Sequence, residues 1–204
     1  METMTGYTIT KRPSSNIRQI EEEIEPKNSK VAIFGTSSQF LQRMHHKNNT
    51  KCVLAPDKAI MSEKSPTLYW ASKGYSQSTV VKLIMGNLVA LSEYSGVRNK
   101  ITDFQLVELA EAIYERFLNY KVSELMLFFG MVRNGHFGDV GFTSFQPIRM
   151  LEKIPAFFAY RNRILEREES RMSQAELERA SLIASERKKK LEEKLNKLAD
   201  GLRT

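Results

Sequence analysis

An almost unbroken apolar run that ends in a glycine-rich turn is the feature that most limits how this chain can fold. The run covers residues 125–132, LMLFFGMV, and it follows Ser123 and Glu124. Serine satisfies free amide groups at the start of a helix, and a carboxylate is favourable in the first helical turn. A helix that is apolar on nearly every side must be buried. We therefore expect a central helix that is capped by Ser123.

The residues after this run, RNGHFGDVGF, predict a turn that presents polar groups to solvent. Asn-Gly is a frequent turn pair, and glycine adopts a positive φ without strain. We expect Phe137 and Phe142 to pack beneath the turn. Because surface turns often carry function, five consecutive residues are candidates for an interaction site: Asn134, Gly135, His136, Phe137 and Gly138.

Two amphipathic helices are predicted before the central one. Apolar residues with three-and-four spacing up to Tyr94 predict the first helix, and Gly86 in its middle predicts a close helix crossing. Thr102, with Gln105 three residues later, resembles a capping box for the second helix. The short link that follows joins antiparallel neighbours. The expected fold is all-α, with a compact helical core over residues 75–160.

Charge dominates the sequence after this core, over residues 161–204. We expect a long, charged and exposed C-terminal helix in this region. Its apolar residues form a stripe with irregular heptad spacing, which fits a short coiled coil or a docking helix and allows a homo-oligomer. The stripe contains Ile164, Leu165, Met172, Leu177, Leu182, Ile183, Leu191, Leu195 and Leu198.

Two segments precede the core. Residues 1–30 lack apolar periodicity and predict a flexible N-terminal arm. Residues 31–74 are rich in lysine, serine and proline and predict a basic connector that contains one short helix. His45, His46 and Cys52 lie close together in the connector, but a zinc site needs a second cluster of ligands at a suitable spacing, which the sequence does not contain. We therefore expect no metal site.

Composition and motifs exclude several classes of protein. The sequence has no run of eighteen apolar residues and no charged-then-apolar leader at Met1, so we expect neither a membrane span nor secretion. A single cysteine fits a reducing compartment, which favours the cytoplasm. The glycines of GMVRNGHFGDVG match neither a P-loop nor a dinucleotide fingerprint. Because no paired nucleophile and base is recognisable either, we expect neither an enzyme nor a bound cofactor.

A net charge of +7 favours contact with polyanions. Before residue 101, basic residues are interleaved with Tyr69, Trp70 and Tyr75, a combination that suits single-stranded nucleic acid. A basic run near the end of the sequence suits the phosphates of single-stranded or duplex DNA. The same patterns also fit a solvated linker and a solvated helix. The candidate nucleic-acid contacts are Lys64, Lys73, Lys82, Arg133, Arg187, Lys188, Lys189 and Lys190.

Residues 101–167 resemble a known group of proteins. A helix that ends in ERFLNYKVSEL leads to FFGMVRNGHFG and then to a helix with MLEKIPAFFAYRNR. This order resembles small helical proteins encoded by phages and conjugative elements of gut anaerobes. The resemblance implies a mobile-element protein that acts in replication. The positions that carry it are Phe128, Phe129, Arg133, Gly135, Phe137, Gly138, Tyr160 and Arg163.

Two functional hypotheses follow from these observations. The first is a non-enzymatic accessory protein of a phage or mobile element that acts in DNA replication or another DNA transaction. Such a protein would bind nucleic acid, a replicative helicase or both. The second is a structural or scaffolding protein that assembles copies or partners through its C-terminal helix, without nucleic acid.

Overall fold

The computed structural model describes residues 29–141 and 144–201. Over these residues the chain forms α-helices, one short 3-10 helix and no strand, so the predicted all-α class is confirmed. The expected N-terminal arm lies outside the described residues apart from its last two positions, and Phe142 lies outside them too. The elements are α1 (Ser29–Ala32), α2 (Ser37–Arg43), the 3-10 helix (His46–Asn48), α3 (Asn49–Leu54), α4 (Pro56–Met61), α5 (Leu68–Gly74), α6 (Gln77–Tyr94), α7 (Asp103–Phe117), α8 (Val122–Arg133) and α9 (Pro147–Gly201).

The predicted central helix is α8, in which every residue from Glu124 to Val132 is buried. It packs against α3, α4, α6 and α9 and therefore runs through the middle of the core. The Phe128 ring lies 5.2 Å from that of Phe117 and 5.4 Å from that of Phe157, measured between ring centroids. These three rings join α7, α8 and α9. The nearly continuous apolar run is thus explained by neighbours on all sides of the helix.

The start of α8 differs from the sequence prediction. Lys121 occupies the cap position, and its backbone amide donates to the Glu124 carboxylate at 2.7 Å. The Ser123 hydroxyl instead donates to the carbonyl of Ala59 at 2.6 Å, while its amide donates to the Ser65 hydroxyl at 2.9 Å. The prediction that Ser123 caps the helix is therefore wrong. The hydroxyl and the amide of Ser123 are instead hydrogen-bonded to residues of α4 and of the loop that follows it.

Residues 31–74 differ from the expected connector, because they contribute to the same core as the later helices. Val31, Phe40 and Leu68 are fully buried and Ile60 nearly so, all in one continuous apolar cluster. The segment forms five short helices and the 3-10 helix, which are all seven residues or fewer in length. Helices of two turns or less show too few apolar repeats for a periodic pattern to be visible. The core therefore has no boundary near residue 75.

The close helix crossing lies at Gly130 and not at the predicted Gly86. A Cβ atom added at Gly86 would meet no atom within 4 Å, so the prediction for this residue is wrong. At Gly130 an added Cβ would lie 2.5 Å from a methyl group of Val53 and 3.0 Å from the backbone oxygen of Asn49. The missing side chain at Gly130 therefore allows α3 to pack directly on the backbone of α8.

The two amphipathic helices α6 and α7 form as their sequence signals indicate. The predicted capping box of α7 is confirmed: the Thr102 hydroxyl accepts from the Gln105 amide at 3.3 Å, and the Gln105 side chain accepts from the Thr102 amide at 3.2 Å. At the start of α6, the Ser76 hydroxyl accepts from the Thr79 amide at 3.1 Å. The two helices pack along each other beside α8.

The last element, α9, is one continuous helix of 55 residues that passes through Pro155. Its first part lies on the core through buried residues that include Met150, Ile154 and Phe157, and among the side chains that the structure describes on this helix the last buried one is Glu168. Every side chain over residues 169–190 is exposed. At 1.5 Å per residue, the part after Glu168 extends about 50 Å from the core. None of the described helices is long and apolar enough to cross a membrane.

A buried ion pair joins α8 to α9. The carboxylate of Glu124 is only 1% exposed, and it accepts from the Nε of Arg161 at 2.5 Å. The Arg161 guanidinium also lies over the ring of Tyr120, 5.0 Å from its centroid. Tyr120 in turn stacks on Phe158 with the ring centroids 4.3 Å apart. The charged head of Arg161 is thereby held between an acid and an aromatic face.

Candidate functional site

An apolar groove with a basic rim lies between the end of α2 and the exposed face of α6. Its volume is about 510 Å³. The rim carries the side chains of His45, His46 and Lys82. The floor is formed by aliphatic and methionine side chains from three helices, namely Leu41, Met44, Leu83, Met85, Val89 and Leu106. Grooves that combine an apolar floor with a few convergent polar groups are common binding sites.

Further positive charge surrounds His46, which lines both the groove and a small neighbouring cavity with Arg133. Lys47 follows it in the 3-10 helix and is exposed. We call His45, His46, Lys47, Lys82 and Arg133 together the His46 patch. Its members come from the 3-10 helix and the residue before it, from α6 and from the end of α8, so the fold gathers residues that lie far apart in the sequence.

The patch also presents an exposed aromatic ring. The guanidinium of Arg133 lies over the ring of Tyr94, 4.3 Å from its centroid. Tyr94 is 58% exposed at the end of α6. An arginine on a solvent-facing tyrosine is an arrangement that can stack against a planar group.

Electrostatics keep His46 itself from adding much charge at neutral pH. Burial lowers the pKa of His46, and the nearby charges of His45, Arg133 and Lys47 lower it further, while Glu93 acts in the opposite direction. A lowered pKa means that the neutral imidazole predominates at pH 7. Lys47 and Arg133 supply positive charge beside His46, the carboxylate of Glu93 opposes them, and Lys82 adds a further cation on the groove lining.

Local contacts fix the position of the 3-10 helix. The Nδ1 atom of His45 accepts from the Lys47 amide at 3.4 Å, and the Asn48 side chain donates to the Arg43 carbonyl at 2.8 Å. Just below, the side chain of Asn49 donates to that of Asn87 at 2.9 Å. Asn49 is only 4% exposed. A buried amide pair of this kind joins α3 to α6 and sets the distance between the 3-10 helix and the groove.

The structure brings together only part of the predicted nucleic-acid contacts. Lys82 lines the groove and Arg133 the neighbouring cavity, and His46 lines both. Lys64 is exposed in the turn between α4 and α5, and the Lys73 ammonium lies over the Tyr69 ring at 5.6 Å. The remaining four candidates, Arg187, Lys188, Lys189 and Lys190, are exposed on the projecting part of α9.

The glycine-rich turn has the predicted backbone form, with φ of +75° at both Gly135 and Gly138. Asn134 and His136 are exposed, and Phe137 is half-buried against the core. The turn is held from α9 by Lys153, whose ammonium donates to the carbonyls of Phe137 at 2.7 Å and Gly138 at 2.8 Å. Burial lowers the pKa of Lys153. Sequence reasoning missed this lysine because nothing local links it to a turn fifteen residues earlier.

A cleft of about 700 Å³ separates the turn from the start of α9. Its charged lining contains both signs, with Arg149 and Lys153 set against Asp139 and Glu152. This mixture favours no one class of ligand. The turn therefore has a clear structural role, and the His46 patch is the stronger candidate site.

The sequence contains a signal for the patch in the consecutive residues His45, His46 and Lys47, although its two histidines were interpreted only as possible metal ligands together with Cys52. Among the residues that the structure describes, no group of three metal-ligating side chains stands close enough to hold an ion. Arg133 was predicted as a nucleic-acid contact, but its position beside His46 was not predictable, because it depends on α3 packing across α8.

No protein-family model, curated protein or solved structure matches the chain. The resemblance to proteins of phages and conjugative elements therefore stays a prediction.

Proposed function

We propose that this protein is a non-enzymatic accessory protein of a phage or mobile element that binds nucleic acid, in DNA replication or another DNA transaction. The observation that carries the proposal is that Lys47 and Arg133 lie close to His46, while Lys82 lines the same groove as His46. A net charge of +7 on the whole chain supports attraction to a polyanion.

The chemistry of the patch suits a single strand better than a duplex. The three cations would contact phosphates, and the release of counterions from the strand would supply most of the affinity. The Arg133 and Tyr94 pair offers a planar surface on which an unpaired base can stack. The apolar floor of the groove would receive a base or sugar edge. In a duplex, the bases are already stacked and not available for such contacts.

A salt titration with a matched pair of variants tests this proposal. Fluorescence anisotropy with labelled single-stranded and duplex oligonucleotides measures the binding constant across a salt series. For the parent protein we expect the logarithm of the constant to fall steeply with the logarithm of the salt concentration. Replacing both Lys82 and Arg133 with glutamine removes two phosphate contacts. For a single strand, this should make the plot of log binding constant against log salt concentration less steep by roughly 1.4.

The control is the double variant in which Lys64 and Lys73 become glutamine. It removes the same charge from exposed positions outside the groove lining. We expect its slope to stay within about 0.3 of the parent value if those lysines make no phosphate contact. Equal losses for the two double variants, or no binding at low salt to any oligonucleotide, would contradict the proposal.

A further inference from the structure

In the sequence of the projecting part of α9, an apolar stripe begins at Leu177, and its members up to residue 190 are exposed. The core-facing side of the helix includes Met150, Ile154 and Phe157. Leu177 lies 27 residues after Met150, and at roughly 100° per residue this places it on the opposite side of the helix. Leu177 is 68% exposed. The stripe that begins at Leu177 is therefore a separate surface and not an extension of the core contact.

The stripe has regular heptad spacing when the apolar residues on the core-facing side of α9 are left out of the pattern. Leucine or alanine recurs every seven residues, at Leu177, Ala184, Leu191 and Leu198. We assign these to heptad position d, which places Ser181, Lys188 and Leu195 at position a. The apolar residues that make the overall pattern look irregular, Leu182 and Ile183, fall at outer positions b and c.

We propose that residues 177–201 form a parallel, two-stranded coiled coil with a second copy of this chain. The flanking charges favour this partner and this direction. Position e carries Glu178 and Glu192, and position g carries Arg187 and Lys194. In a parallel pair, position g of one helix meets position e of the next heptad on the other, so that Arg187 faces Glu192 of the second copy.

The opposite direction is unfavourable for the same residues. In an antiparallel pair, positions g face each other and so do positions e, which would oppose like charges. Lys188, the charged residue among the three a positions, restricts the assembly further, because a lysine at position a favours one register and oligomer state at a cost in stability. The charge pattern is complementary to itself, which points to a second copy and not to an unrelated helix.

The fold also leaves room for this assembly. Because the stripe lies on the side of α9 opposite to the core contact, the two core domains would lie on the outer sides of a parallel pair. They would not compete for the space that the helices need. The coiled coil also leaves the His46 patch free, since none of its members lies on α9. The inference is thus independent of nucleic-acid binding.

Sedimentation of the full-length protein in the absence of nucleic acid tests association. We expect a reversible monomer to dimer equilibrium. Leu177→Gln should raise the dissociation constant roughly tenfold or more, because it removes a seam residue, whereas Leu182→Gln should leave it within about twofold. Leu182 is the matched control, since it is a leucine on the same helix that is 60% exposed. A parent protein that stays monomeric at high micromolar concentration overturns the proposal.

Disulfide trapping tests the direction of the helices. In a Cys52→Ser background, Ser181→Cys at position a should form a disulfide with its own copy under mild oxidation. Glu186→Cys, at the outer position f, should not. In an antiparallel pair that overlaps over residues 177–201, Ser181 would lie opposite residue 197 and would not meet itself. Dimers that fail to cross-link through Ser181→Cys, or that cross-link equally through Glu186→Cys, overturn the parallel arrangement.

Discussion

Two glycines inside helices, Gly86 and Gly130, have opposite structural roles. The first lies at an open surface, where an added methyl group meets nothing within 4 Å. The second lies where α3 contacts the backbone of α8. Glycine costs a helix roughly 1 kcal/mol relative to alanine. At Gly130 this cost is offset by close packing, and at Gly86 no comparable contact offsets it.

We therefore predict changes of opposite sign. Gly86→Ala should raise the free energy of unfolding by about 0.5 to 1 kcal/mol. Gly130→Ala should lower it by about 1 to 3 kcal/mol, since the new methyl group would overlap Val53 and press on the Asn49 carbonyl. Denaturant titrations followed by circular dichroism measure both values. A stabilised Gly130→Ala variant would mean that the helices separate more easily than the structure indicates.

The contrast between these glycines also marks the limit of sequence reasoning. Both stood within an apolar helix in the sequence, and only tertiary contacts distinguish them. Ser123 gives the same lesson, because its residue type favoured a cap while its hydroxyl is used by Ala59. Predictions based on backbone chemistry within a few residues, such as the Thr102 and Gln105 capping box, were confirmed.

Between elements, the Glu124 and Arg161 pair is the contact whose loss should matter most for the joining of α8 to α9. Arg161→Met would leave a carboxylate that is 1% exposed without its cation. Removing one partner from a buried ion pair typically costs about 3 to 5 kcal/mol. Because Arg161 is 24% exposed on its own side, we expect a loss near the lower end of this range, about 3 kcal/mol.

Thermal unfolding of two further variants separates this effect from general loss of charge. Arg163→Met, two residues away and exposed, should change stability by no more than about 0.5 kcal/mol. Adding Glu124→Gln to Arg161→Met should recover part of the loss, since a neutral amide is less costly to bury than an unpaired carboxylate. A double variant that is less stable than Arg161→Met alone would contradict this account.

The helices that could be predicted are those long enough for their spacing of apolar residues to repeat several times. The helices α6, α7 and α8 each span at least three turns, so their apolar spacing is visible in the sequence. Between residues 31 and 74 no helix exceeds seven residues. In this segment the buried apolar residues are few and are separated in the sequence by lysines and serines, so no apolar period is visible. For this reason the sequence pattern resembled a connector. The candidate site was equally hard to predict, because two of its five residues lie in the 3-10 helix and a third directly precedes it.

At the scale of the whole molecule, α9 divides into two parts at Glu168. The part up to Glu168 packs on the folded core, and residues 169–190 are exposed, so we expect the second part to serve association and not folding. Truncation after Arg171 removes only residues whose side chains, as far as the structure describes them, are exposed. We expect circular dichroism to record less total helix but a melting temperature within about 2 °C of the parent, since exposed residues contribute little to stability. Sedimentation of the same protein should detect monomer only. A truncated chain that does not fold would place the distal helix in the core.

Because α9 is continuous through residue 201, each residue added to it both moves its far end away from the core and rotates that end about the helix axis. No turn or glycine-rich link separates the part clamped by the core from the part that projects, so the angular phase of the far end is set by the number of residues between them. Two residues inserted after Arg171 would lengthen the helix by only about 3 Å but would rotate the distal stripe by roughly 200°. The stripe would then face the side that the core occupies. Seven inserted residues would add about 10 Å and almost restore the original phase. The number of residues between the core and the stripe can therefore change by about whole heptads, but other changes turn the stripe toward the wrong side.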